Sequence, residues 1–257
     1  MFGRRILILV PHPDDEVVAC ATAIGRARQA GAQVFALYLT HGCIARDAQW
    51  PWRRKDYAKI VARRRAESEE AARFLNIAPV GWSERPARHL WRQMDAAHGE
   101  IQAAIAAHGV DQLWAPAYEG GNPDHDALNA IGQSFKAKLR VLELAEYNFC
   151  GGKARSQTFP YPNGSEQVIE LTEAERAAKL AALALYKSEK SNLNYVRVER
   201  ECYRPLAAYD YSRPPHPGAL WYARYQWVPF RHPRVDFTDP ADVSKAIDQF
   251  VTQIVRY

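Results

Sequence analysis

No apolar stretch in this sequence comes near the roughly 18 residues that a bilayer span requires; the run closest to the start, Ile6–Val10, gives out after five. Arg4 and Arg5 precede that run, but Pro11-His12-Pro13-Asp14-Asp15-Glu16 cuts it off short of the about 7–15 apolar residues of a secretory signal. Cysteine is scarce and dispersed. Cys20, Cys43, Cys150 and Cys202 form no C-x-x-C pair, which excludes a disulfide framework and a zinc knuckle and leaves them as small core residues. Internal repeats and low-complexity segments are absent too. The expectation is a soluble, cytoplasmic protein with no membrane span.

What is present is an ordinary globular composition. The 257 residues are 47% hydrophobic and 25% charged, enough chain to bury a core and too apolar for disorder. The net charge is +5, and residues 46–73 alone hold nine basic against five acidic side chains. No recognition motif for nucleic acid accompanies that segment, so nucleic acid is set aside as a partner. An anionic small molecule or a lipid headgroup suits this local charge better.

Ile6–Val10 reads as a strand buried on both faces. Val17, Cys20, Ala21, Ile24 and Ala27 then repeat at helical spacing before Gly31. Gln33–Leu39 is the next strand, an irregular stretch holds Trp50, Pro51 and Trp52, and a charged helix runs from about Tyr57 to Leu75. Met94 to His108 forms an amphipathic helix closed by Gly109, Leu113–Pro116 a strand, Asp126–Leu139 a helix, and Arg140–Tyr147 a strand. Alternation at this spacing predicts an α/β fold: a Rossmann-like, mainly parallel sheet with helices on both faces. We expect one domain over residues 1–257, with a core at 1–150 and an extension at 151–257 packed on it. In the extension, Phe159 to Gly164 reads as a turn between short strands and Glu173–Lys187 as a helix. Residues 203–237 are dense in aromatics and proline, the extension has room for its own hairpin, and Asp239–Ile254 reads as a docking helix.

Pro11-His12-Pro13-Asp14-Asp15-Glu16 falls where the first strand ends, the edge at which open parallel sheets bind ligands. A helix cap by Asp14 or Asp15 explains it blandly; a divalent metal with a catalytic base explains it chemically. Glu119-Gly-Gly-Asn122-Pro-Asp124-His125-Asp126 occupies the same position after another strand. Together the clusters can supply His12, Asp15 and His125 as three ligands, a set that suits Zn2+ and is compatible with Fe2+ or Mn2+.

The first string, with Asn122-Pro123-Asp124-His125, resembles the LmbE-like (PIG-L) N-acetylglucosamine deacetylase family from about Ile6 to Tyr147, with a weaker echo at Leu185-Tyr-Lys-Ser188. The resemblance implies a Rossmann-like metal-dependent hydrolase that removes an N-acetyl group from a glucosamine-type sugar or sugar conjugate. It implies His12, Asp15 and His125 as ligands and Asp14 as the base that deprotonates water at the metal. Asp124 would be a supporting carboxylate or a substrate contact, and Arg64 would hold substrate hydroxyls or a phosphate. One departure is Asn122, where the family usually has His. Asn can donate to an oxyanion but cannot titrate, so a slower enzyme or an altered specificity is expected.

His41, after the second strand, lies at the same edge and is a candidate pocket residue. His89, His98 and His108 read as solvated. Trp221, Tyr222, Tyr225 and Trp227 fit either sugar stacking or packing within a strand. The partner is expected to be a small N-acetylated sugar conjugate; an anionic one suits the basic segment, and a homo-oligomer is compatible with that reading. Two rivals stand beside the deacetylase: a catalytically impaired sugar-binding homologue, and a metal-dependent phosphoesterase whose basic segment clamps phosphate.

Overall fold

The run Ile6–Val10 folds as the last five residues of β1 (Arg5–Val10) and is buried throughout. The computed structural model describes residues 2–254. After β1 come α1 (Asp15–Gln29), β2 (Gln33–Tyr38), α2 (Tyr57–Leu75), β3 (Ala78–Trp82), α3 (Met94–His108) and β4 (Gln112–Pro116). Next are α4 (Pro123–Phe135), β5 (Arg140–Ala145), β6 (Tyr147–Asn148), β7 (Arg155–Ser156) and β8 (Gln167–Glu170). The chain finishes with α5 (Glu173–Leu183), β9 (Arg200–Pro205) and α6 (Pro240–Ile254). Seven strands form one sheet in the order β3-β2-β1-β4-β5-β9-β8. β1 to β5 pair in parallel, whereas β9 runs antiparallel to both β5 and β8. The extension thus continues the sheet of the core.

Strand geometry explains the two layers, because alternate side chains leave opposite faces. Leu7 and Leu9 pack with Met94, Ala97 and Ile101 of α3 and with Ile247 and Phe250 of α6. Ile6, Ile8 and Val10 pack with Ala19, Ala23 and Ile24 of α1 on the other face. Helices on both faces of a mostly parallel sheet are what the alternation predicted. Among the described residues, no helix is long and apolar enough to cross a membrane.

The structure corrects several boundaries. β3 has no apolar run: Ala78-Pro-Val-Gly-Trp82 is an edge strand exposed or half-buried along its length. The 159–164 turn does lie between two short strands, β7 and β8, but these pair elsewhere, β7 with β6 and β8 with β9. Within the extension β8 and β9 pair antiparallel but with α5 between them in the chain, so they form no hairpin; β9 lies between β5 and β8, and residues 221–227 are turns. Strand packing therefore does not explain those aromatics. His98 is not simply solvated but stacks on Phe135 at 4.8 Å.

The first helix is broken, and the extension mends it. Cys20 has φ −151° and ψ 23° inside α1, which frees backbone groups on either side. Thr22 and Ala23 N–H donate to Glu201 Oε1 and Oε2 at 2.9 and 2.8 Å. The Val18 carbonyl accepts from Lys179 Nζ at 2.9 Å and from Gln157 Nε2 at 2.7 Å. Lys179 also pairs with Glu201 at 2.8 Å, and both side chains are buried. Lys179→Ala leaves the Glu201 charge buried without its counter-ion, so a loss of about 3–5 kcal/mol is expected. Urea unfolding measures it, and an unchanged midpoint would contradict this account of the break.

Candidate metal centre and active site

Strand order reverses between β1 and β4. From β1 the chain crosses to β2 on one side, and from β4 to β5 on the other, which opens a crevice at the carboxyl ends of these two central strands. His12 and Asp15 follow β1, and His125 sits in the first turn of α4 beyond β4. Their donor atoms converge. His12 Nδ1 lies 3.1 Å from Asp15 Oδ2, and His125 Nε2 lies 3.2 Å from each of those atoms. All three residues are buried.

The cluster fits a divalent ion. Tetrahedral bonds of about 2.1 Å separate donor atoms by roughly 3.4 Å, close to the spacing found, and three donors leave a fourth position for water or substrate. Each imidazole also turns its far nitrogen toward a buried carboxylate, the arrangement that orients metal-bound histidines. His12 Nε2 is 3.1 Å from Asp124 Oδ2; His125 Nδ1 is 3.6 Å from Glu146 Oε1, an ion-pair distance too long for a hydrogen bond. Burial alone would lower the His12 pKa, but hydrogen bonds to Asp124 and Asp15 raise it to about 10. Burial raises Asp15, yet the neighbouring His125 and His12 hold it below the usual carboxylate range. The carboxylates on either side of His12 favour positive charge at this position, which a bound cation would also supply.

Asp14 stands beside the cluster in a strained backbone. Its φ of 129° is a region that side-chain-bearing residues seldom occupy, and such strain costs on the order of 1–3 kcal/mol. The Asp14 N–H donates to Glu16 Oε2 at 3.1 Å, and Tyr186 OH donates to Glu16 Oε1 from the extension. Arg64 reaches in from α2, with Nη2 at 3.2 Å from Asp14 Oδ2 and Nη1 at 3.3 Å from Glu189 Oε1. Burial holds the Asp14 carboxyl well above its ordinary value, and Arg64 opposes that shift. Arg64 is only 2% exposed, so its guanidinium serves these carboxylates and not open solvent. Arg63 and Arg65 face outward and pair along the helix with Glu67 and Glu69. Gly42, at φ 73°, closes the loop after β2 over this pair; a Cβ there would come within 2.8 Å of Pro13 and 3.0 Å of Arg64. His41 is half-buried and meets Tyr57 OH at 3.2 Å, at the rim and outside the donor cluster.

Asn122 caps α4. Its Oδ1 accepts the Asp124 N–H at 2.9 Å, which leaves Nδ2 without a protein acceptor among the described residues. Asp124 is fully buried. Its oxygens accept the Leu90 N–H at 3.0 Å and the Arg88 N–H at 2.5 Å while Oδ2 faces His12, so contact with a substrate is closed to it. Three neighbours escaped the sequence reading. Glu146 had one visible signal, its place at the carboxyl end of a largely apolar strand. Tyr147 meets His125 edge-on at 5.6 Å, and Trp221 and Tyr195 pack on Tyr147 at 5.2 and 4.8 Å. Trp221, which the sequence did single out, is fixed by its N–H to the Gly120 carbonyl at 2.9 Å. Nothing in the sequence near Tyr195 announces its place in this aromatic wall.

No curated protein matches the chain. Solved structures share its fold at low sequence identity. A deacetylase in the biosynthesis pathway of teicoplanin aligns with TM-score 0.61 and 17% identity, over 80% of this chain and 99% of that one. The zinc-inhibited form of a teicoplanin deacetylase gives 0.57 and 17% over the same shares. The N,N'-diacetylchitobiose deacetylase from Pyrococcus horikoshii gives 0.53 and 18%, over 72% of this chain and 70% of that one. The PIG-L family model, described as GlcNAc-PI de-N-acetylase, matches residues 7–136. That match covers half the chain and takes in both polar clusters, and on it the chain belongs to the PIG-L family.

Proposed function

We propose that this protein is a metal-dependent hydrolase that removes the N-acetyl group from a glucosamine-type sugar or sugar conjugate. One observation carries the reading: three buried donors, brought from two strand ends to within 3.2 Å of one another, with a carboxylate behind each imidazole. Family membership and the deacetylases that share the fold support the N-acetyl group as the bond attacked.

His12, Asp15 and His125 would hold the ion, with zinc the best match to two imidazoles and a carboxylate. When bound, such an ion makes water nucleophilic near neutral pH and polarises a carbonyl. Asp14 takes the water's proton at Oδ1, the oxygen that Arg64 does not hold, and passes it to the amine nitrogen as the C–N bond breaks. Acetate and a free amine are the products. Asn122 Nδ2 donates to the oxygen that becomes negative, the one task left to that side chain once Oδ1 caps α4. Tyr147 and Trp221 form the wall against which a sugar ring packs. Asp124 keeps the His12 imidazole in register through its 3.1 Å contact, and Glu146 sets a negative charge behind His125.

The phosphate-clamp reading finds less support, because Arg64 already faces the carboxylates of Asp14 and Glu189 and its helical neighbours pair with glutamates. The test is a panel of N-acetylated sugars and conjugates incubated with zinc-loaded protein, followed by fluorescamine for new amines and an acetate assay. Amine and acetate in equal amounts are expected from at least one member. Phosphate released from phosphorylated analogues, with no amine, would replace the reading with a phosphoesterase.

A further inference from the structure

Two loops outside the catalytic machinery hold much of the exposed aromatic surface. Trp52 is 65% exposed, Trp227 77% and Phe230 59%. Residues 46–56 and 224–237 meet where Trp50, stacked on Trp52 at 5.0 Å, contacts His232 edge-on at 5.2 Å. Both loops sit on the carboxyl edge of the sheet. The first follows β2 and leads into α2, the helix that carries Arg64. The second is tied to Arg88, whose Nη1 donates to the Val235 carbonyl and whose Nε pairs with Asp236, while its backbone N–H holds Asp124.

The same two loops carry exposed cations. Arg53, Lys55, Arg231 and Arg234 are exposed, and among the described residues none of them pairs with a carboxylate. Arg54 turns its guanidinium onto the Gln49 and Asp47 carbonyls of its own loop and so keeps its full positive charge. Indole and phenyl groups bared to water, on loops that also carry unpaired cations, have the chemistry of an interfacial anchor, in which rings enter the headgroup layer and cations meet anionic lipid. A second copy of the chain fits poorly, because a two-fold contact would set these cations against their own copies. Nucleic acid fits less well too, since Trp50 and Trp52 already stack on each other and close their shared face to a base.

We propose that the aromatic and basic rim formed by residues 46–56 and 224–237 docks this protein peripherally on an anionic lipid bilayer. The mouth of the metal crevice then opens beside the headgroups. The proposal concerns binding alone and is independent of the reaction the crevice performs.

Flotation of the full chain with vesicles tests it, using phosphatidylcholine alone and phosphatidylcholine containing one part in three phosphatidylglycerol. Binding to the mixed vesicles is expected, with a blue shift of tryptophan emission, little binding to phosphatidylcholine alone, and weakening as salt rises. The charge reversals Arg53→Glu, Lys55→Glu and Arg231→Glu together should reduce the affinity more than about tenfold. Trp52→Ala with Phe230→Ala should remove the emission shift and most of the binding, and unfolding midpoints equal to wild type show that the variants fold. Absence of binding to the mixed vesicles overturns the proposal, as does wild-type binding by both variants. Capture of a single-stranded oligonucleotide or formation of a dimer, without vesicle binding, overturns it as well.

Discussion

His125→Ala is expected to lower bound zinc by more than about tenfold and to abolish amine release. His125 Nε2 is one of three converging donors, and the residue is fully buried at the start of α4. Loss of a residue that merely orients a ligand costs about 10–100-fold in metal affinity, and loss of the ligand itself costs more. His98→Ala is the matched control. That ring stacks on Phe135, away from the crevice, so the variant should keep its metal. Metal analysis after dialysis against a weak chelator decides the matter; full occupancy in His125→Ala would remove it from the ligand set.

Asp14→Asn should do the opposite: keep the ion and lose turnover by about 10²–10⁴-fold. The amide preserves the shape of the carboxylate and can still accept from Arg64. Asparagine is also among the residues that best tolerate a positive φ, so the strained turn at 129° survives the change. What the amide cannot do is take a proton from water. The comparison needs kcat on a substrate found in the sugar panel and metal content on the same sample. Loss of metal in Asp14→Asn would make Asp14 a ligand and exchange its role with Asp15.

The architecture was legible where periodicity was strong. Ile6–Val10 is continuously apolar because β1 is covered on both faces, and the helical spacing from Met94 to His108 marks α3 residue for residue. β3 was illegible for the converse reason: an edge strand with Pro79 and Gly81 buries too little to carry a pattern. His12, Asp15 and His125 could be grouped from sequence because each cluster follows a strand, and parallel strands end on one edge. That β1 and β4 are neighbours is a tertiary fact, and on it the 3.2 Å convergence depends. The same limit hid Glu146 and Tyr195, whose partners lie far away along the chain. Asn122 was read for its chemistry alone, while its cap of α4 could be seen only once the helix start moved to Pro123. Arg64 was singled out by resemblance as a substrate contact. Its burial beside Asp14 and Glu189 is a tertiary fact that no local pattern announces.

The most direct test of the central claim is a zinc titration of chelator-stripped protein against a substrate from the panel, with amine and acetate followed together. The account predicts no release from the stripped protein, recovery that saturates near one equivalent of zinc per chain, and equal amounts of amine and acetate throughout. Stripped protein that releases amine as fast as untreated protein would contradict it.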